Sequence, residues 1–208
     1  MDKKRKIFID GGAHIGESVK AFLLNYKLYN PLEFEIYSFE PRPDLIKIIK
    51  GNYNLWRKQF PDMNIQLNQA ALSTTDAGEE FYITESNYSS TLREDNSSVK
   101  YPDNLYYKNI QEERKIRVKS VDLNKFILSN FSMEDYIVLK LDIEGGEYDI
   151  LPHMIRNGSI KYVNELFIEW HHRKLKQCTE QEHNKLVETL KTQYNLEGKY
   201  WSAKYCDI

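Results

Sequence analysis

The sequence contains no long apolar run, and this absence limits where the protein can reside. No stretch approaches the roughly 20 consecutive apolar residues that a transmembrane helix needs. The basic start of the chain is followed by a short apolar run, from Ile7 to Ile9, whereas a secretory signal has a longer apolar region. We therefore expect no membrane span and a cytoplasmic location.

The sequence has few cysteines, and its positive and negative charges nearly balance. The two cysteines, Cys178 and Cys206, lie far apart, which argues against a disulfide framework and against a clustered zinc site. The formal net charge is -2 and the isoelectric point is about 6.2, so no strong field attracts nucleic acid. The basic run at residues 3–6 is typical of a solvated terminus. Nucleic acid is therefore not an expected partner.

Segments typical of strands and helices alternate along most of the chain. With 41% apolar residues, this alternation favours an α/β fold with a mostly parallel sheet, in one domain over residues 1–208. The predicted strands are residues 6–10, 34–40, 63–72, 136–142 and 163–170. The predicted helices are residues 16–26, 44–60, 122–130, 147–157 and 180–194. We expect the tail, residues 196–208, to add one or two strands.

An insertion at about residues 73–121 interrupts the alternation. Strands are predicted at residues 80–84 and 116–121, as an antiparallel addition, and residues 85–113 form a long polar segment. A loop of this length in a compact domain is usually functional or disordered. Its hydroxyl and aromatic groups suit a carbohydrate acceptor, and they equally suit protein contact or surface packing. The candidate acceptor-binding residues are Tyr88, Ser89, Ser90 and Thr91.

The first predicted strand ends in an acidic residue, Asp10, followed by a glycine-rich turn. Ligands of open α/β sheets bind at the carboxyl ends of the strands. Gly12 and Gly16 are one residue further apart than the last two glycines of the dinucleotide motif, and a carboxylate at Asp10 would repel pyrophosphate. The same carboxylate suits a ligand that carries an ammonium and a sulfonium group, as S-adenosylmethionine does.

The ends of the next two predicted strands also fit a nucleoside. Glu40 ends the second strand, where an acidic residue accepts ribose hydroxyls, and Pro41 stops the strand. Gln69, Ala70 and Ala71 offer a hydrogen-bonding amide and room for a flat base. A surface glutamate before a proline turn and two core alanines are the structural alternatives.

Charged residues then cluster at the ends of two later strands. Lys140, Asp142 and Glu144 share one face if the strand persists, and burying them is costly unless they are paired or bind a ligand. Glu169 and His171 share a face in the same way, and a histidine accepts a proton near neutral pH. A structural Lys–Asp pair and a surface histidine are the alternatives.

Together these residues resemble the FkbM family of methyltransferases over about residues 8–171. The resemblance lies in residues 8–16, 39–41, 69–72, 89–92, 120–123, 140–147 and 169–171. The most specific segment is the Lys-x-Asp-x-Glu-Gly-x-Glu pattern of residues 140–147. One departure is His14, where the family usually has asparagine.

The resemblance implies a Rossmann-like class I methyltransferase fold, whose mostly parallel seven-stranded sheet is flanked by helices. It also implies S-adenosylmethionine as methyl donor and a hydroxyl acceptor, commonly on a sugar or polyketide. The residues expected to bind the donor are Asp10, Gly11, Gly12, Ala13, His14, Gly16, Glu40, Pro41, Gln69, Ala70, Ala71 and Asp142. The residues expected to be catalytic are His171, Asp142, Glu144, Glu169 and Lys140.

Within that catalytic set, His171 is the first choice of general base and Asp142 the second. Carboxylate oxygens suit magnesium, but the sequence has no dedicated metal motif, so no metal site is assigned. The main hypothesis is thus an O-methyltransferase that acts on a sugar or a glycan-type small molecule.

Three other functions remain open at this point. An RNA ribose 2'-O-methyltransferase would place Asp142 and Glu169, with Lys140 nearby, around a ribose hydroxyl, although the acidic isoelectric point disfavours it. A non-catalytic binding protein on a methyltransferase fold would be expected to lack some of these acidic residues. The glycine spacing disfavours a nicotinamide oxidoreductase.

Overall fold

The computed structural model describes residues 4–84, 90–99 and 115–200. Its strands are β1 (Lys6–Gly11), β2 (Phe34–Phe39), β3 (Asn64–Asn68), β4 (Ala71–Ser73), β5 (Glu79–Tyr82), β6 (Lys115–Val118), β7 (Ser120–Asp122), β8 (Tyr136–Leu141), β9 (Val163–Ile168) and β10 (Gly198–Tyr200). Its α-helices are α1 (Glu17–Asn25), α2 (Pro43–Gln59), α3 (Leu123–Asn130), α4 (Glu147–Asn157) and α5 (Glu180–Tyr194). Within the described ranges, no helix combines the length and the apolar composition needed to cross a membrane.

A parallel sheet with the strand order β10-β9-β8-β1-β2-β3 forms the centre of the molecule. The chain runs from β1 to β2 and β3 on one side, and then places β8, β9 and β10 on the other. Gly11, at the end of β1, is therefore in register with both Phe39 and Leu141. A reversal of strand order of this kind opens a crevice at the carboxyl ends of the strands, where ligands of α/β proteins bind.

The predicted α/β class with a mostly parallel sheet flanked by helices is confirmed. The resemblance predicts seven strands, whereas the described residues supply six to this sheet. The part of the tail predicted to form further strands, residues 201–208, lies outside the described residues.

Successive side chains of β1 enter two different hydrophobic cores. Ile7 and Ile9 pack on the side of α3 and α4, whereas Phe8 packs on the side of α1 and α2 and stacks on Phe22, with 4.0 Å between ring centroids. Each such fully buried side chain stabilises the fold by about 1.5–3 kcal/mol. Because side chains alternate along a strand, Asp10 shares the face of Phe8 and points toward α1.

One predicted strand, residues 63–72, is divided in the structure. Its first half is β3 in the main sheet, and its second half is β4, which pairs in parallel with β7 instead. The chain turns at Asn68, whose carbonyl accepts the N–H of Ala70 and whose side-chain amide bonds to the carbonyl of Ser38. Asn side chains favour such turns because they compete with the strand for backbone partners.

The insertion contains the predicted antiparallel pair, formed by β5 and β6. The predicted strand at residues 116–121 is split into β6 and β7 at Lys119, whose carbonyl accepts the N–H of Ala71. This bond and the β4–β7 ladder attach the insertion beside the carboxyl edge of the main sheet. Most of the predicted polar segment, residues 85–113, falls outside the described residues.

Candidate active site

An open cavity of about 650 Å³ lies at the carboxyl ends of β1, β2 and β8. Its volume is in the range of about 300–1,000 Å³ that is typical of small-molecule sites. The predicted site residues that line it are Gly12, Ala13, His14, Glu40, Pro41, Ala71, Ser90, Lys140, Asp142, Glu144 and Glu169. Those behind or beside its wall are Asp10, Gly11, Gly16, Gln69, Ala70, Thr91 and His171. Tyr88 and Ser89 lie outside the described residues.

The turn after β1 passes too close to its neighbours for any side chain at Gly12. This residue has a φ of 79°, and a Cβ atom there would lie 1.8 Å from the carbonyl oxygen of Asp142. The N–H groups of Gly12 and Ala13 both bond to the carbonyl of Phe39, at 3.2 and 3.0 Å, which ties the turn to β2. The backbone of the turn therefore forms a fixed wall of the cavity, with no side chain in the way.

Glu40 places a buried carboxylate in the same wall. Its two oxygens accept the N–H groups of His14 and Arg42, each at 2.9 Å. Burial raises the pKa of Glu40 to about 7, although these two backbone bonds oppose the rise. Because a carboxylate has about four acceptor positions, two remain for hydroxyl groups of a ligand.

Asp10 and Lys140 form a buried ion pair behind the turn. Lys140 Nζ lies 3.3 Å from Asp10 Oδ1 and donates to the carbonyls of Gly11 and Gly12, at 3.1 and 2.8 Å. Both oxygens of Asp10 also accept the hydroxyl of Ser18 at 2.8 Å. Burial lowers the pKa of Lys140, but the charge of Asp10 raises it overall. The ion pair therefore holds the backbone of the turn in place through Lys140. Asp10 itself is fully buried behind the cavity.

The loop after β8 brings its acidic residues to the cavity by a route different from the predicted one. The strand ends at Leu141, so Glu144 does not share a strand face with Lys140. Glu144 and Gly145 instead have φ values of 55° and 108°, and this left-handed turn directs Glu144 into the cavity wall. Turns of this kind explain the glycine in the Lys-x-Asp-x-Glu-Gly-x-Glu pattern.

Glu147, at the start of α4, holds this loop in place. It is fully buried, and its carboxylate accepts the N–H groups of Ile143 at 2.9 Å and Gly145 at 2.8 Å. The same carboxylate contacts His171 Nδ1 at 3.1 Å. Glu147 thus positions both the acidic loop and the imidazole.

The imidazole of His171 lies behind a cluster of three carboxylates, and we call Asp142, Glu144 and Glu169 the acidic cluster. Nε2 of His171 is 3.8 Å from Asp142 Oδ1 and 3.7 Å from an oxygen of each glutamate. His171 is 3% exposed, and its Nε2 has no hydrogen-bond partner among the described residues.

Burial and charge shift the titration of this group. Burial lowers the pKa of His171, but the hydrogen bond and charge of Glu147, with the charge of Glu144, raise it overall to about 9. Burial raises the pKa of both Glu144 and Glu169. Perturbed pKa values of this kind are typical of functional sites.

A segment of the insertion fixes the acidic loop from outside. Thr91 Oγ1 and Asn96 Nδ2 both donate to the carbonyl of Glu144, at 2.7 and 2.8 Å. Lys174 Nζ lies 2.6 Å from Glu144 Oε2. Thr91 therefore contacts the protein backbone, whereas Ser90, its predicted partner in acceptor binding, lines the cavity.

The sequence analysis did not assign a role to the residues that hold the acidic loop in place, which are Glu147, Asn96 and Lys174. The sequence offered a signal for Glu147, because it is the last residue of the Lys-x-Asp-x-Glu-Gly-x-Glu pattern. It offered none for Asn96 and Lys174, which reach Glu144 from distant loops.

The comparison with protein-family models agrees with the resemblance seen in the sequence. A crystal structure of methyltransferase FkbM from Methylobacillus flagellatus KT is 15% identical, with a TM-score of 0.49. The alignment covers 89% of this chain and 37% of that one, so the chain spans well under half of that protein's length. No functionally curated protein matches. The family model of the methyltransferase FkbM domain matches residues 10–196. The chain therefore belongs to the FkbM methyltransferase family.

Proposed function

We propose that the chain is an S-adenosylmethionine-dependent O-methyltransferase that acts on a hydroxyl of a sugar or a glycan-type small molecule. The observation that carries this proposal is the open cavity beside the glycine turn, with the buried carboxylate of Glu40 in its wall. The family membership supports methyl transfer as the reaction.

The donor side of the cavity fits a nucleoside with a charged tail. Glu40 has free acceptor capacity for ribose hydroxyls, and Ala71 leaves room for a base. The bare backbone of Gly12 and the carboxylate of Asp142 face the position for the methionine end. When bound, the donor supplies an electrophilic methyl group on a sulfonium.

The acidic cluster and His171 form the acceptor side. The protein has to orient the acceptor hydroxyl and remove its proton, and a positioned base contributes roughly 10²–10⁴-fold to such a step. His171, the first choice of base from the sequence, has a pKa raised to about 9 and is mostly protonated near neutral pH. Asp142 is therefore the candidate base, and Glu144 and Glu169 are the candidate orienting groups. Lys140 positions the glycine turn, because its ammonium group donates hydrogen bonds to the carbonyls of Gly11 and Gly12.

Calorimetry with S-adenosylhomocysteine, the product form of the donor, tests the donor site. We expect binding by the unmodified chain and a loss of about tenfold or more in Glu40→Gln, because a hydrogen bond to a charged group contributes about 1.5–3 kcal/mol. Glu134→Gln, on an exposed turn before β8, is the matched control and should bind normally.

Transfer of labelled methyl groups to a panel of sugars and glycans, with an RNA oligonucleotide beside them, tests the acceptor. Labelling of a sugar hydroxyl supports the proposal. Labelling of RNA alone would refute the acceptor class, and failure to bind S-adenosylhomocysteine would refute the enzymatic function.

A further inference from the structure

The surroundings of His171 have the features of a metal-binding histidine. Nε2 is buried, has no hydrogen-bond partner among the described residues, and faces the acidic cluster. Nδ1 is tied to the carboxylate of Glu147 at 3.1 Å. In metal-binding histidines, the ring nitrogen that does not bind the ion almost always donates its N–H to a carboxylate or a carbonyl. This hydrogen bond fixes the ring and leaves the other nitrogen free to bind the ion.

The distances within the cluster fit one ion. An oxygen of Asp142, an oxygen of Glu144 and a ring nitrogen of His171 lie within 4.8 Å of one another. Ligands bound to one ion at about 2.0–2.2 Å are roughly 3–4 Å apart, so a small inward movement of the carboxylates completes the coordination.

The carboxylates around Nε2 also outnumber the cationic side chains that face them. Glu144 is paired with Lys174, whereas Asp142 lies 3.9 Å from Lys140, which is closer to Asp10, and 3.8 Å from His171 Nε2. Four carboxylates contact the imidazole, and their negative charge exceeds what Lys174 and a protonated imidazole offset. An ion bound at Nε2 would take the place of the imidazole proton. Buried or half-buried carboxylates in such excess are paired with a proton or a metal ion.

We propose that Asp142, Glu144 and His171 Nε2 bind one divalent cation of the Mg²⁺ or Mn²⁺ class. Two hard carboxylate oxygens and one imidazole suit such an ion, and three protein ligands leave positions open toward the cavity. Glu169, 38% exposed and 3.7 Å from Nε2, adds negative charge on the open side. The role of the ion depends on the proposed function, because an ion at this place would hold the acceptor hydroxyl and lower its pKa.

Titration of the full chain with Mn²⁺, after treatment with a chelator and without any donor, tests the site by calorimetry and by electron paramagnetic resonance. We expect one Mn²⁺ per chain, competed by Mg²⁺, and no measurable binding in Asp142→Asn or Glu144→Gln. The control Glu134→Gln should bind Mn²⁺ normally. Absence of binding to the unmodified chain at millimolar Mn²⁺, or equal binding by both variants, would overturn the proposal.

A second measurement removes the ambiguity of a misfolded variant. The spin-echo spectrum of bound Mn²⁺ should show coupling to an imidazole nitrogen, which His171→Gln should abolish. Glu147→Gln should weaken Mn²⁺ about 10–100-fold, as is usual when the partner of a metal-binding histidine is changed. Coupling that persists in His171→Gln, with normal melting of both variants, would exclude His171 as a ligand.

The variant Glu40→Gln allows the metal site and the donor site to be tested independently. This variant should bind S-adenosylhomocysteine about tenfold or more weakly and still bind Mn²⁺ normally, because Glu40 is absent from the acidic cluster. If the unmodified chain binds S-adenosylhomocysteine but no metal ion, the metal proposal fails alone. If it binds Mn²⁺ but no S-adenosylhomocysteine, the proposed function fails and the metal site stands.

Discussion

The donor side of the cavity and its acceptor side differ in how their polar groups are satisfied. On the donor side, Asp10 and Glu40 are buried carboxylates whose oxygens already bond to Ser18 or to backbone N–H groups. On the acceptor side, carboxylates gather around His171 Nε2, which has no hydrogen-bond partner in the described part of the chain. On the donor side every oxygen of these two carboxylates thus has a partner already, with acceptor capacity left at Glu40, whereas the acceptor side holds a buried nitrogen with no partner among the described residues.

This difference predicts how each side responds to substitution. The donor side depends on backbone shape, so a change there acts through sterics and affects stability and donor binding together. The acceptor side depends on charged side chains whose loop is held in place by one buried residue, Glu147. Substitutions there should therefore act by moving this loop.

The largest expected effect is that of Gly12→Ala on the donor side. Its Cβ would lie 1.8 Å from the carbonyl of Asp142, and its φ of 79° is costly for any residue with a side chain. We expect a loss of more than about 3 kcal/mol in the free energy of unfolding, and no binding of S-adenosylhomocysteine. Urea denaturation and calorimetry measure the two effects.

A matched control separates the clash from the backbone strain. Gly158, at the end of α4, has a φ of 89°, but no atom of the described residues lies within 4 Å of the position that a Cβ would take there. Gly158→Ala should therefore lose only about 1–2 kcal/mol and bind the donor product normally. Equal losses in the two variants would show that the close approach at Gly12 is unimportant.

On the acceptor side, the largest expected effect is that of Glu147→Ala. The change leaves the N–H groups of Ile143 and Gly145 and the Nδ1 of His171 without their buried acceptor. We expect a loss of about 3–5 kcal/mol in the free energy of unfolding, as for a buried pair that loses one member.

Asp149→Ala is the control for this substitution, because Asp149 lies in the same first turn of α4. Its side chain is 50% exposed and pairs with Arg93, so the expected loss is below about 1 kcal/mol. If Asp149→Ala is as destabilising as Glu147→Ala, the stabilising role of Glu147 in the loop is wrong.

A smaller effect is expected from pH on the donor side. With its pKa raised to about 7 by burial, Glu40 is mostly neutral below that pH and mostly ionised above it. If the ionised form accepts the ribose hydroxyls, affinity for S-adenosylhomocysteine should be about tenfold weaker at about pH 6 than at about pH 8. The affinity of Glu40→Gln for S-adenosylhomocysteine should not change with pH over this range. A pH dependence as steep as that of the unmodified chain would assign the effect to another group.

The stability of the free protein should change in the opposite direction. A carboxyl whose folded pKa lies above its ordinary value of 4.5 binds its proton more tightly in the folded state. The contribution of Glu40 to stability is therefore fully present below about pH 4.5 and is lost as the pH rises through about 7. Denaturation midpoints of the unmodified chain and Glu40→Gln across this range check the sign.

Much of this comparison was accessible from the sequence, because it depends on strand ends. Apolar runs that end at a glycine, a proline or a charged residue predict β1, β2 and β8 to within one residue. Since the carboxyl ends of parallel strands meet at one edge, Glu40 and Asp142 were expected to face one cavity. Asp10 was also expected to bind the donor, whereas in the structure it is fully buried and bonds to Ser18 and Lys140.

The remainder depends on contacts between distant parts of the chain. The break in the predicted strand 63–72 is set by pairing of β4 with β7, about fifty residues later in the sequence, which no local pattern reveals. The position of Glu144 depends on a left-handed turn and on Lys174, neither of which periodicity predicts. Local sequence patterns thus predicted where the site lies, whereas contacts between distant segments determine how its side chains are arranged.

The smallest expected effect concerns the two donors to the carbonyl of Glu144. Thr91→Val removes one of them, and Asn96 still donates at 2.8 Å, so the expected loss is about 1 kcal/mol. Removing both, in Thr91→Val with Asn96→Ala, leaves a buried carbonyl without either bond. The loss in free energy of unfolding should then exceed the sum of the single variants by about 0.5–3 kcal/mol, as for neighbours that share a partner. Strict additivity in urea denaturation would mean that each donor acts alone, and that the insertion does not hold the acidic loop through this shared carbonyl.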